Sequence, residues 1–277
     1  MKKTIVFIAA CCAIFTAAAA FSQDARSAAV TQGAKSVALG SSFAAGTGIA
    51  NQLGGCGRSD HNYSHIVAAE LGLILADVSC NGATTANIVN TPQNGAAPQI
   101  DAVSRDTALV TITIGGNDIR YTSSTFACAG KASAENCTAN LDQAGINAAL
   151  KQLPTDLIAM FDAIKAKAPE ATIVFVTYPR VFPVDALSCG ELDLSADDTN
   201  YLAALGQKLE DAFVTATSSR NILIADAYVR AAGHGPCAPS ERWINGNSVA
   251  ETGARYHPTA TAHAEMAQLV LDALASH

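Results

Sequence analysis

Five short runs dominated by Val, Ile, Leu and Ala, at 36–40, 73–79, 108–114, 172–177 and 221–225, recur along the chain, each followed by turn-forming residues. Their apolar positions are nearly continuous rather than alternating, which predicts strands buried on both faces. Longer stretches between them carry a helical period: 63–71, a short one at 99–104, 140–168, 196–217 and a terminal one at 258–276. Pro154 falls inside the third of these and predicts a break there, with the proline in the first turn of a second helix. The segment from Phe126 to Asn140 reads as a long loop. Strands alternating with helices indicate a five-stranded parallel sheet inside a three-layer α/β/α sandwich. No repeat or linker divides the chain, so 36–277 reads as one domain.

Ahead of this pattern stands a segment of another kind. Lys2 and Lys3 precede the apolar run "TIVFIAACCAIFTAAAA", and polar residues follow it. A basic start, an apolar middle and Ala18-x-Ala20 predict a signal peptide over 1–20, cleaved after Ala20 or within three residues beyond. The run is Ala-rich and shorter than the roughly 20 residues a membrane span requires, which disfavours a retained anchor. Losing both lysines takes the net charge from −7 to −9. An acidic chain of this kind is a poor fit to nucleic acid or to anionic membranes.

Export changes how the cysteines read. Cys11 and Cys12 leave with the leader; Cys56, Cys80, Cys128, Cys137, Cys189 and Cys237 remain. An even number in an exported chain indicates disulfides, with the pairing open apart from a bridge between Cys128 and Cys137 that would close their loop. No C-x-x-C spacing points to zinc or to a redox motif.

In a parallel sheet of this type ligands bind beyond the carboxyl ends of the strands. The first strand ends in Gly40-Ser41-Ser42, the second in "SCNGATT", the third in "GGND", and the last helix is preceded by "RYHP". A serine, a small-residue turn, an amide side chain and a histidine thus reach one rim. These are the parts of an acyl-transfer site: nucleophile, oxyanion donors and general base. Nothing in the pattern calls for a cofactor or a metal. His61 and His65 share a helical spacing, but no third ligand accompanies them.

The stretches "GSSFAAG", "SCNGATT", "IGGNDI" and "YHPTATAH" resemble, in that order, the four sequence blocks of the SGNH hydrolases, the GDSL-type lipases and esterases. The resemblance implies a flavodoxin-like fold and an esterase. It makes Ser42 the nucleophile, with Ser41 in place of the usual Asp, and His257 the general base. The backbone N–H groups of Ser42 and Gly82 and the amide of Asn117 would form the oxyanion hole. Asp118 reads as a cap and His263 as structural. The family often carries an Asp three residues before the histidine; here that position is Ala254. Either a distant acid, with Asp226 and Asp60 the first candidates, or the Ala254 carbonyl would orient His257. The secreted, disulfide-bearing branch of the family implies the carbonyl, and the pairs Cys56–Cys80, Cys128–Cys137 and Cys189–Cys237. The expected protein is a secreted or periplasmic monomer cleaving ester or lipid substrates. The alternatives are a catalytically silent lipid- or glycan-binding relative, or a phospholipase, carbohydrate acetylesterase or acyltransferase.

Overall fold

The computed structural model describes residue 1 and residues 30–130, 136–183, 189–249 and 252–277. The leader prediction, Met1 apart, lies outside the described residues. Among the described residues no helix is long and apolar enough to cross a membrane.

The chain folds around a five-stranded parallel sheet built from β1 (Lys35–Gly40), β4 (Ile74–Asp77), β5 (Thr107–Thr113), β6 (Thr172–Val176) and β7 (Leu223–Ala225). A two-stranded ribbon, β2 (Gln52–Leu53) with β3 (Arg58–Ser59), stands apart from it. The main sheet runs in the order β4-β1-β5-β6-β7. Strand order therefore reverses between β1 and β5, where Val37 pairs with Val110 and Gly40 with Thr113. The carboxyl ends of these two strands frame the crevice in which such folds hold ligands.

Alternate residues serve opposite layers. Val37, Leu39, Val110, Ile112, Ile173 and Phe175 pack on the side of α5 (Gln143–Lys167) and α6 (Ala196–Ser218). Leu109, Val174 and Val176 pack on the side of α2 (Tyr63–Leu71) and α8 (Ala260–Ala275). Polar residues on the second face are paired: Thr111 and Thr113 bond the hydroxyls of Ser64 and Tyr63 on α2. Both faces of the three central strands are thus covered, as their unbroken apolar sequence requires.

Three expectations need correction. The predicted break at Pro154 is absent, and α5 runs through it. Ile146, Leu153, Leu157, Met160, Phe161 and Ile164 form a buried stripe on that helix. At ~1.5–3 kcal/mol per buried side chain, the stripe outweighs the roughly 3 kcal/mol cost of an internal proline. The edge strand β4 is not buried on both faces; Ile74 stands largely exposed. The stretch from Phe126 to Asn140, expected as one loop, begins inside a helix, α4 (Tyr121–Cys128). A further short helix, α3 (Thr85–Val89), follows the second block.

Among the described residues the disulfides are Cys56–Cys80, Cys128–Cys137 and Cys189–Cys237. The first ties the loop after α1 (Ser42–Ala45) to the end of β4. The third ties the approach to α6 to the segment after α7 (Ala227–Arg230).

Candidate active site

The site begins where β1 meets β5. Gly40 has φ +140°, and a side chain there would collide with the Thr113 carbonyl, 2.3 Å from a Cβ. Glycine therefore lets the chain cross β5 closely enough for the Ser41 N–H to reach that carbonyl at 2.9 Å. The backbone then turns directly into the single helical turn α1, with Ser42 as its first residue. The Gln99 side-chain amide clamps the turn from behind, accepting from Gly40 N–H at 2.7 Å and donating to Gly40 C=O at 3.0 Å.

Ser41 and Ser42 differ in what they meet. The Ser41 hydroxyl is buried and bonds the Tyr178 hydroxyl at 2.8 Å; Tyr178 OH also accepts from Gly116 N–H at 3.3 Å. Burial holds the Tyr178 phenol above its ordinary pKa, so it stays neutral and bridges the first and third blocks. The Ser42 Oγ instead lies 2.9 Å from His257 Nε2. His257 Nδ1 lies 2.7 Å from the Arg255 carbonyl. A carbonyl only accepts, so Nδ1 carries the proton and Nε2 presents its lone pair to the serine hydroxyl.

The carbonyl that meets Nδ1 is therefore that of Arg255, not the expected one of Ala254. The Ala254 carbonyl is occupied by the backbone N–H of His257 itself at 3.2 Å. The two acids weighed as distant orienters are engaged elsewhere. Asp60 pairs with its neighbour His61, and Asp226 caps α7 by accepting from Val229 N–H at 2.9 Å. Phe43 packs on the His257 ring at 4.9 Å between centroids, and Phe126 stacks at 6.3 Å. Burial holds the imidazole below its ordinary pKa, partly offset by the bond to Arg255.

Gly82 and Asn117 come from neighbouring loops tied together by a bond from the Asn117 amide to the Ala83 carbonyl at 2.9 Å. The Gly82 loop is fixed by the Cys56–Cys80 bridge and by Cys80 N–H on the Gly40 carbonyl at 2.9 Å. Among the described residues neither Ser42 N–H nor Gly82 N–H has an acceptor, and Asn117 has a second amide hydrogen to spare. Asp118 serves as a cap, accepting from Thr85 N–H at 3.0 Å and from the Thr85 hydroxyl at 2.6 Å at the start of α3.

His263 is buried against α2 and accepts from Tyr63 N–H at 3.2 Å. Burial, with His257 nearby, pushes it down to about 3. Asn62 caps α2, accepting from Ser64 and His65 N–H. No cluster of three or more metal-ligating side chains occurs among the described residues. Tyr178, Gln99 and the Arg255 carbonyl were not singled out from sequence. Tyr178 lies just past the carboxyl end of β6, where inspecting every strand end would have found it; Gln99 carries no local signal.

The sequence profile of the GDSL-like lipase/acylhydrolase family matches residues 38–265. Lipase 2 of Streptomyces coelicolor is 35% identical over 252 residues, covering 86% of this chain and 85% of that protein. The crystal structure of an extracellular lipase from Streptomyces rimosus superposes with a TM-score of 0.73 at 26% identity, covering 87% of this chain and 99% of the other. A phospholipase A1 from Streptomyces albidoflavus shares the fold, with a TM-score of 0.71 at 23% identity over 88% of this chain and 99% of that one. The sandwich, with its crevice at the β1–β5 switch point, is that of an SGNH hydrolase. The chain belongs to the GDSL-like lipase/acylhydrolase family and is a carboxylic ester hydrolase.

Proposed function

We propose that this protein is a secreted serine esterase or lipase that works through a Ser42–His257 dyad and an acyl-enzyme. One observation carries the reading: Ser42 Oγ sits 2.9 Å from the Nε2 lone pair of an imidazole whose tautomer is set at Nδ1 by the Arg255 carbonyl. His257 takes the serine proton as Oγ bonds to the acyl carbon. The oxyanion is received by the N–H groups of Ser42 and Gly82 and the Asn117 amide. Collapse breaks the bond to the alcohol, which leaves with the proton from His257. Water then attacks the acyl-serine by the same route and releases the acid. The neutral carbonyl stabilises the imidazolium less than a carboxylate does, so the dyad gives up part of a triad's advantage. Export is supported by the leader pattern and by three disulfides, which persist in oxidising compartments.

Hydrolysis of p-nitrophenyl esters from C2 to C16 tests the reading and ranks acyl length. Ser42→Ala should lower turnover by at least about 10³, while Ser41→Ala, which loses only the Tyr178 bond, should keep much of it. Binding of lipid without turnover by the intact wild-type protein would indicate the silent relative instead.

A further inference from the structure

The carbonyl that holds His257 belongs to a peptide that is itself held. Tyr256, the residue between Arg255 and His257, is a non-glycine residue with φ +55°, a left-handed conformation that is costly for a bulky side chain. Its N–H donates to the Gly246 carbonyl at 3.2 Å. In a trans peptide the N–H and C=O point opposite ways, so this bond on one side aims the Arg255 carbonyl at Nδ1 on the other. The Tyr256 side chain is buried, and its hydroxyl donates to the Leu192 carbonyl at 2.6 Å. Burial keeps that phenol protonated and therefore a donor.

The acceptor side is also tied down. Asn247 N–H donates to the Glu191 carbonyl at 2.7 Å, and the Asn247 amide to Asp193 Oδ2 at 2.7 Å. Arg255 Nη1 donates to Asn247 Oδ1 at 2.9 Å. Gly246 lies so close to Glu191 that a Cβ would stand 2.1 Å from its carbonyl oxygen, which only glycine tolerates. The segment from Glu191 to Asp193 begins next to Cys189, bridged to Cys237.

We propose that Tyr256 is a positioning residue: its left-handed backbone, anchored on Leu192 and Gly246, fixes the peptide whose carbonyl orients His257. The proposal rests on the Ser42–His257 reading. The strain is tolerated because the hydroxyl and the N–H are both satisfied, and it places the carbonyl two residues before the histidine rather than three. Tyr256 touches no reacting atom; it acts through Arg255 and His257.

Tyr256→Phe keeps the ring and removes the anchor. In the intact protein it should lower kcat on a soluble p-nitrophenyl ester about tenfold, the equivalent of one net hydrogen bond, with KM changed less than about twofold. The bond to Arg255 raises the His257 pKa, so the acid limb of kcat should move to lower pH. The downfield proton resonance of the hydrogen-bonded Nδ1–H should broaden or shift upfield. Tyr63→Phe, an equally buried tyrosine whose hydroxyl bonds Thr113 at 3.0 Å, should leave limb and resonance in place even where stability drops. Wild-type kcat, limb and resonance in Tyr256→Phe would overturn the proposal. Should that variant fail to fold, Asn247→Ala, half-buried and loosening the same turn, takes its place: the same split supports the proposal and unchanged values overturn it. An unmutated protein that hydrolyses none of the esters, or labelling of it at a residue other than Ser42, would instead overturn the dyad.

Discussion

At the scale of the residue, the site is a division of labour between groups one position apart. Ser41 holds the turn through Tyr178 while Ser42 faces His257, and Ala254 binds a backbone N–H while Arg255 faces the ring. This level was only partly legible in the chain. The strand ends and the entry to the last helix point to a serine, a small-residue turn, an amide and a histidine; the choice of Ser42 over Ser41 and of Gly82 within its turn is what the family resemblance implies. The identity of the orienting carbonyl depends on a positive φ at Tyr256, which nothing in "RYHP" announces. With no carboxylate on His257 among the described residues, Asp60→Ala and Asp226→Ala should each keep turnover within about threefold of wild type, in contrast to His257→Ala. Titration gives a second outcome. As the proposed general base His257 must be neutral, and burial holds it below the ordinary value of about 6.5. Activity on a soluble ester should therefore persist as pH falls through 6.5 and be lost only at lower pH; a limb above that value would mean an anion reaches the ring.

At the scale of the element, period and composition located all five strands of the main sheet: the three central ones are buried on both faces and leave unbroken apolar runs, and the edge strands β4 and β7 are apolar although they are less buried. The short pieces were harder. The turns at α1 and α3 are four and five residues long and carry no period to read. The break expected at Pro154 does not form in α5, because a local rule about proline competes with a tertiary stripe that only packing reveals. That conflict has a measurable remainder. Pro154 donates no hydrogen bond and stands only half-buried, so Pro154→Ala restores an N–H donor toward the preceding turn at little cost in packing. The variant should gain about 1–2 kcal/mol after the lost unfolded-state rigidity is allowed for, visible as a higher midpoint in urea. A lower midpoint would mean that the ring is itself a packing element of the helix surface.

At the scale of the whole molecule, two buried groups on different helices, His263 on α8 and Glu210 on α6, shape stability against pH. His263 binds its proton only near pH 3 in the fold but near 6.5 when unfolded, so its contribution is complete above about pH 6.5 and declines as pH falls. Glu210 on α6 is buried, and burial followed by the nearby Asp226 raises its carboxyl to about 8. Its contribution is complete below the unfolded value of about 4.3 and is lost as pH rises toward 8. Where one group sets the slope it amounts to about 1.4 kcal/mol per pH unit. With His257 also depressed, the histidines outweigh Glu210 on the acid side, and stability should be greatest near pH 6.5. Glu210→Gln should flatten the decline between pH 6.5 and 8 in thermal melts of the disulfide-intact protein; a decline of wild-type steepness would place its cause elsewhere. None of this was visible in sequence, where Glu210 is one acid among many on a helix.

Ser42, not its neighbour, is the proposed nucleophile, activated by His257. A fluorophosphonate probe followed by peptide mass spectrometry tests this most directly. The expected result is one covalent adduct, on Ser42, at a rate that falls sharply in His257→Ala and little in Ser41→Ala. An adduct on Ser41, or labelling of Ser42 at an undiminished rate without His257, would contradict it.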